Sequence, residues 1–298
     1  LRSIPLNMPA TPTVPTDGGP YDLIILATPA TALETALLAS RDQLSPDGVV
    51  VCFQNGLPED RAAELIDRAQ VLGCVVGWGA SMVAPGHYRK TSSGGFQLGR
   101  PDGAQDAALP HIEQLLGYVA PTRVTSNLAG VRWSKLAINS AITTMGAIGG
   151  DRLGALMRHR FVRRLALEIF TEVVAVAQAS RIRLEKVNGT FDLEKIALRE
   201  EERLYTMGSP SLLWKHSILM AIGMKYRGLR SSMLYALERG RTPEIEHLNG
   251  EVVRRGDVLK VPAPVNRRLV RTIEEIALGT RTSSLETLRQ VFEDRPMA

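Results

Sequence analysis

Cysteine, aromatic residues and long apolar runs are all scarce in this chain of 298 residues. Its two cysteines, Cys52 and Cys74, each lie within an apolar run typical of a buried strand, and no disulfide framework is visible. We therefore expect structural thiols in a reducing, cytoplasmic setting. No apolar run is long enough to span a membrane, and no signal-peptide pattern opens the chain. These scarcities argue against a secreted disulfide scaffold and against a membrane as partner.

Nucleic acid is also not expected as a partner. Aromatic residues make up 5% of the chain, which is few for a surface that stacks bases. A nucleic-acid-binding module is supported only by the net charge of +5, and a duplex titration without salt-dependent binding would dismiss it. The same basic balance suits an anionic cofactor or substrate.

A glycine-rich turn of the form G-x-G-x-x-G, which binds a dinucleotide pyrophosphate at the start of a helix, is missing. Residues 77–79 lack the third glycine, and residues 146–150 end a predicted helix instead of starting one. Residues 22–28 nevertheless have the character of an inner strand, and an exposed apolar edge would be a liability. We therefore expect an N-terminal βαβ portion to belong with this domain and to be absent from this chain.

What is present begins with apolar strands that alternate with helices. Residues 22–28, 49–53 and 71–76 are predicted strands, and helices are predicted between them. This alternation indicates a parallel sheet, in which ligands bind at the carboxyl ends of the strands. Those ends carry Thr28 and the pair Asn55-Gly56, although Asn-Gly is also a common turn. We predict an α/β domain with a Rossmann-like parallel sheet over residues 1–126, in which short stretches within residues 80–98 form antiparallel strands that close the sheet.

The second half, residues 127–298, is predicted to be an all-helical domain. Its first helix, residues 128–150, is apolar on nearly every side and should therefore be buried. Lys135, Asn139 and Thr143 follow one another at a spacing of four and form the polar row on this helix. The row could hold a small ligand, or Lys135 could be a lysine that reaches water at the helix edge.

Three blocks of sequence resemble the ketopantoate reductase (2-dehydropantoate 2-reductase) family. They are Gln54-Asn55-Gly56 after a strand, Trp133-x-Lys135 followed by Asn139 on the central helix, and the long run of residues 231–266. The last block is specific in order and spacing. The resemblance extends from residue 22 onward and explains the missing start, because family members begin with a glycine-rich dinucleotide turn.

The resemblance implies an NADPH-dependent reduction of a 2-keto acid, most directly of 2-dehydropantoate to pantoate in pantothenate biosynthesis. Lys135 would be the general acid that protonates the developing alkoxide. The expected substrate-binding residues are Asn139, Thr143, Ser232 and Glu244, and the expected cofactor-binding residues are Thr28, Asn55 and Gly56. The family also implies a homodimer formed through the helical half. The choice of NADPH over NADH stays open, because the residues that distinguish them follow the missing turn. No metal is assigned, although Glu244 and His247 have a spacing that metal sites use.

Alternatives remain at several of these positions. Ser232 could simply start a helix, and Glu244 could stabilise the first turn of its own helix. Family members usually have asparagine where Thr143 stands and lysine where Pro29 stands, and these departures from the resemblance indicate a divergent branch. A D-2-hydroxyacid dehydrogenase of the same fold that acts on another 2-keto acid is one alternative. A catalytically degenerate cofactor-binding protein is another.

Overall fold

The computed structural model describes residues 5, 9–16, 18–186, 192–204 and 209–294. A five-stranded sheet forms the first half of the chain, with the strand order β1-β2-β3-β6-β7. The strands are β1 (Tyr21–Leu26), β2 (Leu44–Cys52), β3 (Val71–Val76), β4 (Ala80–Ala84), β5 (His87–Lys90), β6 (Phe96–Gly99) and β7 (Thr122–Val124). Strands β4 and β5 form a separate antiparallel hairpin.

The sheet is mainly parallel, and its antiparallel pair involves β6, a strand from the stretch for which antiparallel strands were predicted. β1, β2 and β3 pair in parallel, as do β6 and β7, but β6 runs antiparallel to β3. The reason is the connection, because β3 and β6 are joined by the β4–β5 hairpin and not by the crossover helix that a parallel pair requires.

Helices cover both faces of this sheet. They are α1 (Leu33–Ser40), α2 (Pro58–Ala62) and α3 (Ala108–Gly117). In β2, Val50 and Cys52 pack against the layer of α1, whereas Val49 and Val51 pack against that of α3. Both cysteines are free and buried, as predicted, and burial raises the pKa of the Cys74 thiol to about 12. Their side chains are therefore part of the apolar core.

Strand β1 lies at one edge of the described sheet. The side chain of its Ile25 is 44% exposed, unlike the buried valines of the neighbouring β2. The βαβ portion that we expect from the sequence would pair along this edge, and it stays a prediction.

The second half is helical throughout its described residues. Its helices are α4 (Leu128–Ile138), α5 (Thr144–Gly149), α6 (Leu153–Leu156), α7 (Arg160–Ala179), α8 (Leu193–Ile196), α9 (Glu200–Leu204), α10 (Pro210–Lys225), α11 (Ser232–Glu238), α12 (Asn249–Leu259), α13 (Pro264–Ala277) and α14 (Leu285–Glu293). The sequence pattern predicts Asn127 as the cap of α4, and its side chain accepts a hydrogen bond from the Gly130 amide at 3.1 Å. Helix α7 is buried along most of its length and is the centre of one large apolar cluster.

Three helical details differ from expectation. The sequence pattern predicts a helix over residues 58–68, but helix α2 ends at Ala62. Glu244 does not begin a long helix but a 3₁₀ turn, Glu244–His247, and α12 follows it. The sequence pattern predicts the last helix over residues 264–278, whereas α14 follows it in the structure. Across the described ranges, no helix combines the length and apolar character needed to cross a membrane.

Candidate active site

The helical half contacts the sheet at the carboxyl ends of β1, β2 and β3. The first contact is made by Lys135 of α4, whose Nζ donates a hydrogen bond to the carbonyl oxygen of Val76 at 2.9 Å. Val76 is the last residue of β3. Ligands of open α/β sheets bind at such strand ends, so Lys135 lies where a substrate is expected.

The surroundings of Lys135 make its proton easy to lose. Burial and, to a smaller extent, the nearby Arg132 guanidinium lower the pKa of this amine to about 8, although the Glu244 carboxylate opposes both effects. A lysine with a pKa near 8 can donate a proton at neutral pH and recover it from solvent. The amine of Lys135 is buried, whereas the alternative that the sequence left open would place it in water at the edge of the helix.

Glu244 joins the helical half to the ends of β1 and β2. Its Oε1 accepts a hydrogen bond from the backbone amide of Ala30 at 2.9 Å, and its Oε2 accepts one from Asn55 Nδ2 at 3.3 Å. Next to Asn55, Gln54 Nε2 donates to the Thr28 hydroxyl at 3.3 Å. The structure thus brings Thr28, Asn55, Glu244 and Lys135 together at the carboxyl ends of the strands.

Gly56 lies close to the backbone of His247 in the helical half. Its φ is +81°, a backbone conformation that favours glycine, and a Cβ at this position would overlap with the carbonyl oxygen of His247. Both observations explain why residue 56 is a glycine, and neither requires that it bind a ligand. Its predicted role in cofactor binding stays a prediction.

Replacing Gly56 with alanine is expected to lower the free energy of unfolding by more than about 2 kcal/mol, since the left-handed backbone alone costs about 1–2 kcal/mol. Gly240→Ala is the matched control, because Gly240 has a φ of +62° and a Cβ added there would meet no atom within 4 Å. Urea denaturation of both variants measures the difference. Equal losses would show that the approach of His247 does not constrain residue 56.

The helix predicted over residues 128–150 is interrupted by one π turn, Asn139–Thr143, between α4 and α5. Four residues of an α-helix overshoot one full turn by about 40°, so a spacing of four drifts around the helix. An i→i+5 turn holds more residues and counteracts this drift. The π turn therefore returns Thr143 toward the line of Lys135 and Asn139. The three residues of the predicted row therefore lie on α4 and a π turn and not on one regular α-helix.

The predicted substrate-binding side chains of this row are available for a ligand. Asn139 and Thr143 are half-buried, and neither side chain has a hydrogen bond to any residue that the structure describes. Ser232 is exposed at the start of α11, which packs against the π turn. Its neighbour Ser231 caps that helix instead. The assignment of all three as substrate-binding residues stays a prediction.

Arg132, which the sequence analysis did not single out, is the most buried cation at this edge. This residue is only 2% exposed. Its Nη1 donates a hydrogen bond to the Gln54 carbonyl oxygen, and its Nη2 donates one to the Cys52 carbonyl oxygen, both at 2.7 Å. Its guanidinium also pairs with Glu59 of α2. Arg132 thereby holds the end of β2 and the loop that carries Asn55. An arginine on an otherwise apolar helix was the available signal.

The residues at this edge fit the nicotinamide end of a dinucleotide. Gln54 is 3% exposed, and its Oε1 has no hydrogen-bond partner among the described residues. A carboxamide N–H group is a donor that would satisfy it. A glycine-rich turn for the pyrophosphate is lacking from the sequence. The described part of the chain contains no group of three or more histidine, cysteine or acidic side chains that could hold a metal.

Several known proteins resemble this chain in sequence or in fold. The 2-dehydropantoate 2-reductase of Pyrococcus horikoshii is 26% identical over 286 residues, which are 94% of this chain and 84% of that protein. The crystal structure of a PanE/ApbA family ketopantoate reductase from Ralstonia eutropha is 27% identical with a TM-score of 0.68, and the match covers 88% of this chain and 77% of that one. D-mandelate dehydrogenase, solved with NADH and anilino(oxo)acetate, has a TM-score of 0.70 at 20% identity, over 87% and 77% of the two chains, and so shows the fold alone.

The family is established by two matches that together span most of the sequence. Residues 3–103 match ketopantoate reductase PanE/ApbA, and residues 127–277 match the C-terminal part of ketopantoate reductase PanE/ApbA. The resemblance predicted from three short blocks is thereby confirmed. The chain belongs to the ketopantoate reductase PanE/ApbA family.

Proposed function

We propose that this protein reduces a 2-keto acid to the 2-hydroxy acid with NADPH, and that 2-dehydropantoate is the substrate. The observation that carries the proposal is Lys135, an amine with a pKa of about 8 at the carboxyl end of β3. When bound, NADPH supplies the hydride that reaches the carbonyl carbon of the substrate.

The side chains of the candidate site have separate roles in this reduction. The Lys135 ammonium donates its proton to the carbonyl oxygen as negative charge develops there, and its own charge stabilises the alkoxide until transfer is complete. Asn139, Thr143 and Ser232 bind the carboxylate and the polar groups of the keto acid. Glu244, which accepts hydrogen bonds from Ala30 and Asn55, holds Asn55 between the cofactor and the substrate.

The test is NADPH consumption by the full chain with a panel of 2-keto acids at equal concentration. The panel contains 2-dehydropantoate, pyruvate and phenylglyoxylate, and each is repeated with NADH. The highest kcat/KM with 2-dehydropantoate and NADPH supports the proposal. Tight binding of NADPH without turnover of any keto acid would instead identify a cofactor-binding protein without catalysis.

A D-2-hydroxyacid dehydrogenase is the second candidate, favoured by Thr143 and by the likeness in fold to D-mandelate dehydrogenase. A threonine offers one hydroxyl where an amide would offer two kinds of polar atom, so a substrate with fewer polar groups is better matched. A kcat/KM at least tenfold higher with phenylglyoxylate than with 2-dehydropantoate would select this alternative.

The rate of reduction should depend on pH through Lys135. Its pKa is about 8, so the proton-donating ammonium form falls tenfold for each pH unit above that value. We expect kcat/KM for reduction to be constant below about pH 7 and to decline through pH 8. Oxidation of the hydroxy acid should rise over the same range, because it needs the neutral amine as base. A reduction rate that is flat to about pH 10 would contradict this role.

Two further features are part of the proposal. We place the boundary between the cofactor and substrate halves at residues 126 and 127, one residue before α4 begins. We also propose a homodimer formed through the helical half. Light scattering during size-exclusion chromatography measures the mass, and a value of 32.5 kDa would contradict the dimer.

A further inference from the structure

We propose that Ser231 and Asn249 are positioning residues that hold the π turn in the shape that presents Asn139 and Thr143 to the keto acid. This inference rests on the proposed function for the identity of the ligand. The arrangement of the π turn itself does not depend on that function, which allows the two to be tested separately.

The backbone of the π turn receives two side-chain hydrogen bonds from outside its own helix. A π turn interrupts the regular i→i−4 ladder, and buried carbonyl groups near it need other donors. Asn249 Nδ2 donates to the Ser140 carbonyl at 3.0 Å, and the Ser231 hydroxyl donates to the Thr143 carbonyl at 2.7 Å. These donors come from α12 and from the residue before α11, so the turn is held from two sides.

Every hydrogen-bonding atom of the Asn249 side chain is used. Besides the Ser140 carbonyl, its Nδ2 donates to Asn266 Oδ1 at 2.9 Å, and its Oδ1 accepts from the Thr144 hydroxyl at 2.7 Å. Asn249, Thr144 and Asn266 are all fully buried, so water cannot replace a lost partner easily. A side chain committed in this way cannot rotate without breaking several bonds.

The orientation of this network is set by a carboxylate. Asn266 Nδ2 donates to Glu172 Oε2 at 2.7 Å, which turns its Oδ1 toward Asn249. The same carboxylate accepts the backbone amides of Val265 at 2.8 Å and Asn266 at 2.9 Å. Glu172 lies on α7 in the centre of the large apolar cluster of the helical half, so the π turn is tied to the core of that half.

Ser231 connects the π turn to α11, which begins with the proposed substrate-binding residue Ser232. Its hydroxyl accepts the Leu234 amide at 3.2 Å, which caps α11, while donating to the Thr143 carbonyl. Gly146 permits this approach, because a Cβ there would lie 2.9 Å from Ser231 Cβ. The positions of Thr143 and of Ser232, the first residue of α11, are therefore coupled through one hydroxyl.

The experiment compares Ser231→Ala and Asn249→Ala with the wild-type chain. We expect KM for the keto acid to rise at least tenfold in both variants while KM for NADPH changes less than twofold. Hydrogen exchange of the backbone amides of residues 139–144 should become faster. Ser231→Thr, which keeps the hydroxyl, should restore the wild-type values. Thr144→Val, which removes one bond to Asn249 and keeps the shape, replaces Asn249→Ala if that variant does not fold.

The control is Ser209→Ala, which removes the cap of α10 away from the π turn. A general loss of stability would change this variant and Ser231→Ala alike, with no selective effect on the keto acid. Unchanged exchange at residues 139–144 in both Ser231→Ala and Asn249→Ala would overturn the proposal. If the wild-type chain reduces no keto acid, the proposed function fails, and the exchange measurement alone decides whether these residues hold the turn.

Discussion

Replacing Lys135 with alanine is expected to lower kcat for keto-acid reduction by about 10²–10⁴-fold, the usual contribution of a positioned general acid. The variant loses the proton donor at the end of β3 and the charge that stabilises the alkoxide. We expect KM for NADPH to stay within about twofold, because Lys135 contacts Val76 and not the predicted cofactor residues. Steady-state kinetics with each substrate varied in turn measures both effects.

Lys135→Arg separates proton donation from charge. Arginine remains protonated at every relevant pH, so it keeps the charge but cannot act as an acid. We expect it to remain at least about 10²-fold slower than wild type and to lose the decline of the rate above pH 8. Methylamine added to Lys135→Ala should restore part of the rate. Lys225→Ala, at an exposed lysine of α10, is the control, and full activity of Lys135→Arg would contradict the general-acid role.

The second large effect is expected in stability. Arg132→Met should lower the free energy of unfolding by about 3–5 kcal/mol, the cost of leaving one member of a buried ion pair without its partner. Glu59 is 5% exposed, and the carbonyl groups of Cys52 and Gln54 would also lose their donor. Denaturation by urea, monitored by circular dichroism, measures the loss.

The pairing itself is tested by Arg132→Met combined with Glu59→Leu, which removes both charges. We expect the double variant to recover at least half of the loss, because apolar replacement of a buried pair is often neutral. Burial raises the pKa of Glu59, so the Arg132→Met variant should be less impaired at pH 5 than at pH 8, where the unpaired carboxylate is ionised. Arg268→Met, at an exposed pair with Asp294, should cost less than about 1 kcal/mol. A similar loss in Arg132→Met and Arg268→Met would contradict the argument.

The sequence predicted the sheet well where burial is complete. Strands β2 and β3 contain continuous apolar runs, and only burial on both faces makes such runs favourable. The two cysteines follow from the same reasoning. The antiparallel direction of strand β6 was predicted from the turn residues before it, since its own four residues do not determine that direction.

The candidate site was predicted in part. Lys135 and Asn139 stand out from their sequence because polar residues are rare on that helix. The π turn is not visible in the sequence, since a spacing of four is compatible with an uninterrupted helix. The side chains that hydrogen-bond to its backbone, Ser231 and Asn249, are 88 and 109 positions away from their partners along the chain, and they bind carbonyl groups, which every residue has. Arg132 was missed for a similar reason, as its carbonyl and carboxylate partners come from β2, the loop after it and α2.

The bonds that join the two halves also bear on how the chain reaches its native state. They connect residues 59 positions apart at Lys135 and Val76, 80 apart at Arg132 and Cys52, and 214 apart at Glu244 and Ala30. Contacts between such distant residues close large loops and therefore form late and slowly. Each half can collapse around its own apolar cluster first. The candidate active site is completed only when the last of these loops closes, so recovery of the proposed activity after denaturation should lag behind recovery of helical structure.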